Sequence, residues 1–304
     1  MQLCDIARSA RMALLTAGFV AAAISGARAQ TAPAVATSPA VFAAAQQSAE
    51  PAPVTRPRTT VTSGIDTASS YMFRGLYQED RGVVAPAYVD MRIPLHAGRG
   101  AVSAVRANVG MWNSFHSGPT GAQGRSSAWY EADYYASLTA TAGRWSPGAI
   151  FTLVTSPNEA FSTVYEVGAS VEFDDSDQRV PLAPRAFFVM ELAGQMDGGN
   201  VPGRYAEVSV KPTRALGRSG AMTFAMAMPV KAGTSLRGYY ESGVSGSPVF
   251  ASAGIVPSVT VAAPRVSFEL HAGLELMRLG AAPSAFNRGQ RTKPIVTIGA
   301  SVTY

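Results

Sequence analysis

The sequence predicts an all-β chain folded as a transmembrane antiparallel up-and-down β-barrel of about 12 strands. Three observations carry this expectation. Apolar and polar residues alternate with period two, the apolar rows are long enough to cross a bilayer, and the final residue, Tyr304, is an aromatic on the apolar side of its row.

The alternation is clearest between Arg265 and Leu276. Val266, Phe268, Leu270, Ala272, Leu274 and Leu276 form one face, and Arg265, Ser267, Glu269, His271, Gly273 and Glu275 the other. The last segment repeats the pattern, with Val296, Ile298, Ala300, Val302 and Tyr304 set against Thr297, Gly299, Ser301 and Thr303. Residues Thr163 to Phe173 do the same. Soluble sandwiches also alternate, so length decides. The row from Val266 to Leu276 covers roughly 34 Å at ~3.4 Å per residue, or roughly 26 Å along the membrane normal for a tilt near 40°. That matches a hydrocarbon band about 25 Å tall, whereas soluble strands usually run about 5–6 residues.

The amino-terminal residues carry Arg8 and Arg11 and then an apolar run from Met12 to Ile24, too short for a spanning helix, which needs about 20 residues. Ala27-Arg28-Ala29 supplies small residues at the positions signal peptidase reads, so residues 1–29 are expected to be a signal peptide. Cys4, the single cysteine of the chain, lies ahead of the apolar core and would leave with it, so no disulfide or thiolate metal site is expected. Loss of Arg8, Arg11, Arg28 and Asp5 lowers the formal charge from +5 to +3, which gives no argument for a nucleic-acid partner. Residues 30–58, rich in Ala, Pro, Thr and Ser, read as a flexible periplasmic linker, and 59–304 as the barrel.

Strands are expected near 60–76, 83–94, 101–114, 128–141, 147–156, 162–173, 185–195, 204–212, 220–231, 248–260, 264–277 and 293–304. An even count puts both ends on one side, so with a periplasmic amino terminus the odd-numbered connections become the outer loops, among them 115–127, 232–247 and 278–292. The segment 174–184 is long for a periplasmic turn. Tyr239-Tyr240 in the 232–247 loop are expected to be available to an outside partner.

Ser70-Tyr71-Met72-Phe73-Arg74-Gly75-Leu76-Tyr77-Gln78, followed by Pro86 and Tyr88-Val89-Asp90, resembles the opening of a proteobacterial barrel family, the Gcw-chp type. Trp112-Asn113-Ser114 with Glu131-Ala132-Asp133-Tyr134 is similar to that family's second recurring patch. The resemblance implies an outer-membrane barrel and implies no activity. The aromatic Tyr304 likewise resembles the terminal signal read by the barrel assembly machinery.

Alternation places Tyr71 and Phe73 outward, in an interfacial aromatic girdle, and Asp66 and Arg74 inward. Arg74 is expected to pair with carboxylates inside the barrel and fix the first hairpin, with solute binding as the other reading. The inward acids are Asp66, Asp90, Glu131, Asp133, Glu166, Glu172, Glu191, Glu207, Glu269 and Glu275. The inward bases are Arg74, Arg92, Arg106, Arg185, Lys211 and Arg265, with His271 beside them. Such a face suits a watery or salt-bridged lumen and not a soluble core. Of these, Asp66, Arg74, Asp90, Arg106, Glu131, Asp133, Glu166, Glu269 and His271 are the lumen-lining candidates.

No catalytic residue, metal site or cofactor is expected. The chain has three histidines, His96, His116 and His271, and no Gly-x-Ser-x-Gly motif. His96 falls in a turn, His116 in a Gly/Ser-rich loop, and His271 is roughly 13 Å from Ser267 on its own strand. The expected partners are outer-membrane lipid, the assembly machinery and small solutes. Two functions fit an outer-membrane location: a narrow diffusion channel for small solutes, and a closed structural or interaction barrel. A secreted soluble β-barrel binding protein is the third.

Overall fold

The computed structural model describes residues 58–118, 128–240 and 246–304. The expected signal peptide and all but the last residue of the expected linker lie outside the described residues.

β1 (Thr60–Ala68) pairs on one side with β4 (Val84–Ala97) and on the other with β16 (Thr292–Thr303), so the sheet closes on itself. From β4 the ring runs antiparallel through β5 (Ala104–His116), β6 (Trp129–Thr141), β7 (Trp145–Thr155), β8 (Val164–Phe173), β9 (Arg185–Ala193) and β10 (Arg204–Val210). β10 resumes beyond Lys211-Pro212 as β11 (Thr213–Ser219), and β12 (Met222–Ala227) resumes beyond Met228-Pro229 as β13 (Val230–Arg237). Proline has no N–H to give a ladder, so the interruptions fall at Pro212 and Pro229. They lie opposite one another, and the Met228 N–H bridges them by donating to the Pro212 carbonyl at 2.9 Å. β14 (Val249–Ala262) takes β13 on one half and β12 on the other, and β15 (Ser267–Leu279) leads to β16. Each interrupted pair is one stave, and the barrel has 12 strands, as expected.

The two prolines are why the staves extend beyond the expected strands 204–212 and 220–231, since each interrupts the alternation within one stave. The segment 174–184 is a long turn with no added strand, held by the Asp175 carboxylate, which accepts from the N–H groups of Leu182 (2.7 Å) and Ala183 (3.0 Å). A short helix, α1 (Ala281–Phe286), stands within the expected 278–292 loop.

The exterior is apolar along its length. Phe268, Leu270, Leu274 and Leu276 of β15 and Val296 and Ile298 of β16 are all about half exposed, the surface a bilayer would solvate. Aromatic pairs mark the two margins. Phe115 stacks on Trp129 at the end bearing the long connections, with ring centroids 6.1 Å apart. Trp145 packs on Phe173 at the end bearing the chain termini, at 4.7 Å. Exposed tryptophans at both ends of a spanning sheet form the interfacial girdles of such barrels.

The largest departure from the sequence reading concerns the first expected strand. It stops at Ala68, and the chain turns into the barrel to form a separate hairpin of β2 (Tyr71–Phe73) and β3 (Leu76–Glu79). Tyr71 and Phe73 are therefore not girdle residues. They are 6% and 1% exposed and belong to the core that fills the loop end of the barrel.

Candidate functional site

The site is the lumen and the hairpin that caps it. Phe73-Arg74-Gly75-Leu76 is a two-residue turn with φ of 46° at Arg74 and 85° at Gly75, the positive pair that lets a hairpin turn match the twist of its strands. Space at Gly75 is tight as well, because a Cβ there would lie 3.1 Å from the Phe250 ring. Met72, Phe73 and Leu76 are each 1% exposed, and they pack with Trp112, Tyr205, Tyr239 and Phe250 from strands and loops around the ring.

Arg74 stands at the tip. Its Nη1 and Nη2 donate to Glu166 Oε1 and Oε2 of β8 at 2.7 and 2.9 Å, and Nη1 also donates to the Tyr239 hydroxyl at 2.7 Å. The Tyr240 hydroxyl donates to the Arg74 carbonyl at 2.6 Å. Tyr239 and Tyr240 thus face inward, at 1% and 8% exposure, and are not presented to an outside partner as the sequence reading expected. Tyr71 donates to Glu131 Oε1 at 3.1 Å.

A second fixing point lies at the rim. Asp80, just past β3, accepts from Arg288 (2.5 Å) of the β15–β16 connection, from Lys293 (2.6 Å) at the start of β16 and from the Tyr77 hydroxyl (2.9 Å). Burial works to raise its pKa, but the hydrogen bonds from Lys293, Arg288 and Tyr77 outweigh burial and hold the carboxyl at about 2, below the ordinary 3.8. The hairpin is tied to the wall at its tip and at its base.

Asp66, Asp90, Glu131, Asp133, Glu166, Glu269 and His271 are buried on the inner face, and Arg106 is half-buried there. Asp66 and His271 meet at 3.1 Å, and His271 lies 3.4 Å from Glu269. Gly299 makes room for this contact, since a Cβ at that position would come within 2.5 Å of His271 Nε2. Arg185 pairs with Glu172 at 3.3 Å and Lys231 with Glu275 at 3.4 Å. Both oxygens of Asp133, which is fully buried, lack a hydrogen-bond donor among the described residues. Arg265 sits in the exposed turn between β14 and β15 and does not reach the lumen, because β15 begins only at Ser267. Tyr304, 56% exposed, closes the seam by donating its N–H to the Val61 carbonyl at 2.9 Å.

The lumen is uneven along its axis, a property that summing charges over strands did not disclose. Towards the loop end the inward positions are buried and acid-rich, with Glu131, Asp133, Glu166, Glu191 and Glu275 against Arg74 and Lys231. Towards the terminal end Arg92, Arg106, Ser137, Thr139, Ser146, Ser170, Glu172 and Lys211 are half-buried, while Arg185, Glu269 and Ser301 are buried.

The sequence reading also missed one contact. His116 is the last residue of β5 and not a loop residue, and its Nε2 lies 2.6 Å from Ser114 Oγ two positions earlier on the same inner face. Ser114 has no exposed surface and His116 stacks on Tyr130 at 4.5 Å, so in this conformation the serine is not presented to any substrate. Period-two spacing of Ser114 and His116 was the available signal.

No family model matches the chain, and no curated protein matches it. Solved structures similar to it include an outer membrane channel from Pseudomonas putida F1, with TM-score 0.46 and 9% identity over 84% of this chain and 100% of that one. The NanC porin is similar at TM-score 0.42 and 8% identity, covering 81% of this chain and 98% of the other. The outer membrane phospholipase A from Escherichia coli is similar at TM-score 0.38 and 10% identity, covering 80% and 91%. At these identities none carries an activity over to this chain.

Proposed function

We propose that this protein is an outer-membrane barrel of the kind the Gcw-chp resemblance implies, and that its resting form is closed to diffusion. The observation that carries the reading is the hairpin of β2 and β3, which reaches across the loop end of the lumen and places Arg74 on Glu166 of the facing wall. A barrel of about 12 strands lies between the roughly eight that their own side chains fill and the roughly sixteen that leave an aqueous channel, and the hairpin adds to what fills it. The narrow diffusion channel is the second reading. The half-buried polar side chains of Arg92, Arg106, Ser137 and Thr139 at the terminal end favour it, because they would line a pore if the hairpin withdrew.

Single-channel recording of the refolded protein in planar bilayers tests the proposal. The intact chain should give a flat record, and a variant with residues 70–82 replaced by a short Gly-Ser linker should conduct. Steady conductance from the intact chain would overturn the closed reading and favour the channel.

A further inference from the structure

Arg74 occupies a position its backbone does not favour. A φ of 46° is the left-handed region, where glycine and asparagine are at home and a long side chain is under strain. The first position of such a two-residue turn is ordinarily Asn, Asp or Gly. Arginine at this point is held by what surrounds its guanidinium.

Those surroundings form a box assembled mostly from the wall. Glu166 of β8 takes both terminal nitrogens, and it is 1% exposed. The Tyr239 hydroxyl accepts from the same Nη1. Rings of Tyr205 (β10), Phe187 (β9) and Tyr239 lie with centroids 5.2, 5.7 and 5.7 Å from the guanidinium carbon. A planar cation that offers two parallel N–H donors and an aromatic-facing surface fits this arrangement, and a primary ammonium can satisfy only part of it. The carboxyls of Glu131, which accepts from Tyr71 of the same hairpin, and of Asp133 lie nearby. Without Arg74, Glu166 would be a carboxylate buried among aromatic rings with no cation beside it, an arrangement that strongly favours recruiting one.

We propose that this box is a binding site for guanidinium-bearing small solutes, occupied in the closed state by the chain's own Arg74. The inference rests on the reading of the hairpin as a plug and deepens it: the plug carries an internal copy of the ligand, and a solute of the same chemistry competes with it.

The test is calorimetric titration of the folded protein in detergent with methylguanidinium chloride, with methylammonium chloride as the comparison. Arg74→Gly keeps the turn, since glycine is favoured at this φ, and empties the box. Arg74→Asn, also suited to the position, is the second variant should the first fold poorly. Either variant should bind methylguanidinium saturably, at least about tenfold tighter than the wild type does, because a bidentate charge-assisted contact becomes available. Adding Glu166→Gln to the emptied box should weaken that binding by at least about tenfold. Equal titrations of wild type and Arg74→Gly, indifference to Glu166→Gln, or equal binding of methylammonium would each overturn the proposal. A conducting wild type would instead overturn the closed reading, and bilayer recording reports that separately.

Discussion

Arginine placed at successive outward positions of β15 should trace the depth of the bilayer around the barrel. β15 runs from Ser267 to Leu279, so its midpoint is Gly273. Leu274 is one step from that point, Leu270 three and Phe268 five, and all three are about half exposed on the outer wall. A rise of ~3.4 Å and a tilt near 40° give about 2.6 Å per step along the normal, which puts Leu274 about 3 Å, Leu270 about 8 Å and Phe268 about 13 Å from the midplane. The half-height of the hydrocarbon band is about 12.5 Å. Leu274→Arg should therefore cost about 2–4 kcal/mol, Phe268→Arg about 0–1 kcal/mol and Leu270→Arg an intermediate amount. Denaturant unfolding of each variant from lipid vesicles measures the losses, read as midpoint shifts at unchanged slope. Equal costs at Phe268 and Leu274 would refute the reasoning, because a wall facing water or protein has no depth profile.

Glu166→Gln should destabilise the protein by about 3–5 kcal/mol, since it leaves the Arg74 guanidinium buried without its carboxylate. The double variant Arg74→Gly/Glu166→Gln should lose less than the sum of the two single losses, and strict additivity in the unfolding midpoints would count against the pair as a unit. The rim contact should respond to acid in a defined window. Asp80 titrates at about 2 in place of the ordinary 3.8, so its contribution is complete above about pH 4 and is lost as pH falls through about 2. Protease cleavage of the hairpin should rise across that interval in the wild type, whereas Asp80→Asn should already be cleaved faster at neutral pH and change little there; identical pH profiles would contradict the assignment. With residues 70–82 replaced, the acid-rich half of the lumen should make the open barrel prefer cations at low salt. That preference should fade near 1 M, where the Debye length is about 3 Å, and weaken on neutralising Glu131 and Asp133, while anion preference in a reversal-potential measurement would refute it.

The staves were legible because each carries a signal confined to itself. The facing of Phe268, Leu270, Val296 and Ile298 follows from period two alone, and so does the inward facing of Asp66, Glu131, Glu166 and His271. What escaped were elements whose placement depends on residues far away in sequence. Tyr71 and Phe73 continue the alternation of β1, and nothing local distinguishes a strand that runs on along the wall from one that turns inward to meet Glu131, 60 positions away, or Glu166, 92 positions from Arg74. Arg74-Gly75 was the available turn signal, and arginine disguised it. Tyr239 and Tyr240 read as loop residues for the same reason: their partner is the hairpin, and the hairpin had not been recognised. The glycines of the inner wall were similarly mute. Gly64, Gly110 and Gly233 stand where a Cβ would meet the hydroxyl ends of Tyr88, Tyr135 and Tyr205 on neighbouring strands, so each marks a large side chain laid flat across the wall.

The distribution of polar groups explains which side chains the hairpin carries. Carboxyls crowd the wall towards the loop end, and Glu131, Glu166 and Glu191 each meet a donor there. Backbone N–H groups serve Glu191, which accepts from Met196 at 2.7 Å and Gly203 at 2.5 Å and in doing so orders the β9–β10 connection. A tyrosine serves Glu131, and Arg74 serves Glu166. Two of these three donor sets come from the one hairpin, so withdrawing it would uncover carboxylates together with the aromatic rings that shield them. An apolar hairpin would fill the same volume but leave Glu131 and Glu166 without their donors. One guanidinium, at a positive-φ turn and backed by the Asp80 contacts at the rim, fixes the hairpin to the wall, and the solute proposed above would compete at the first of these two contacts.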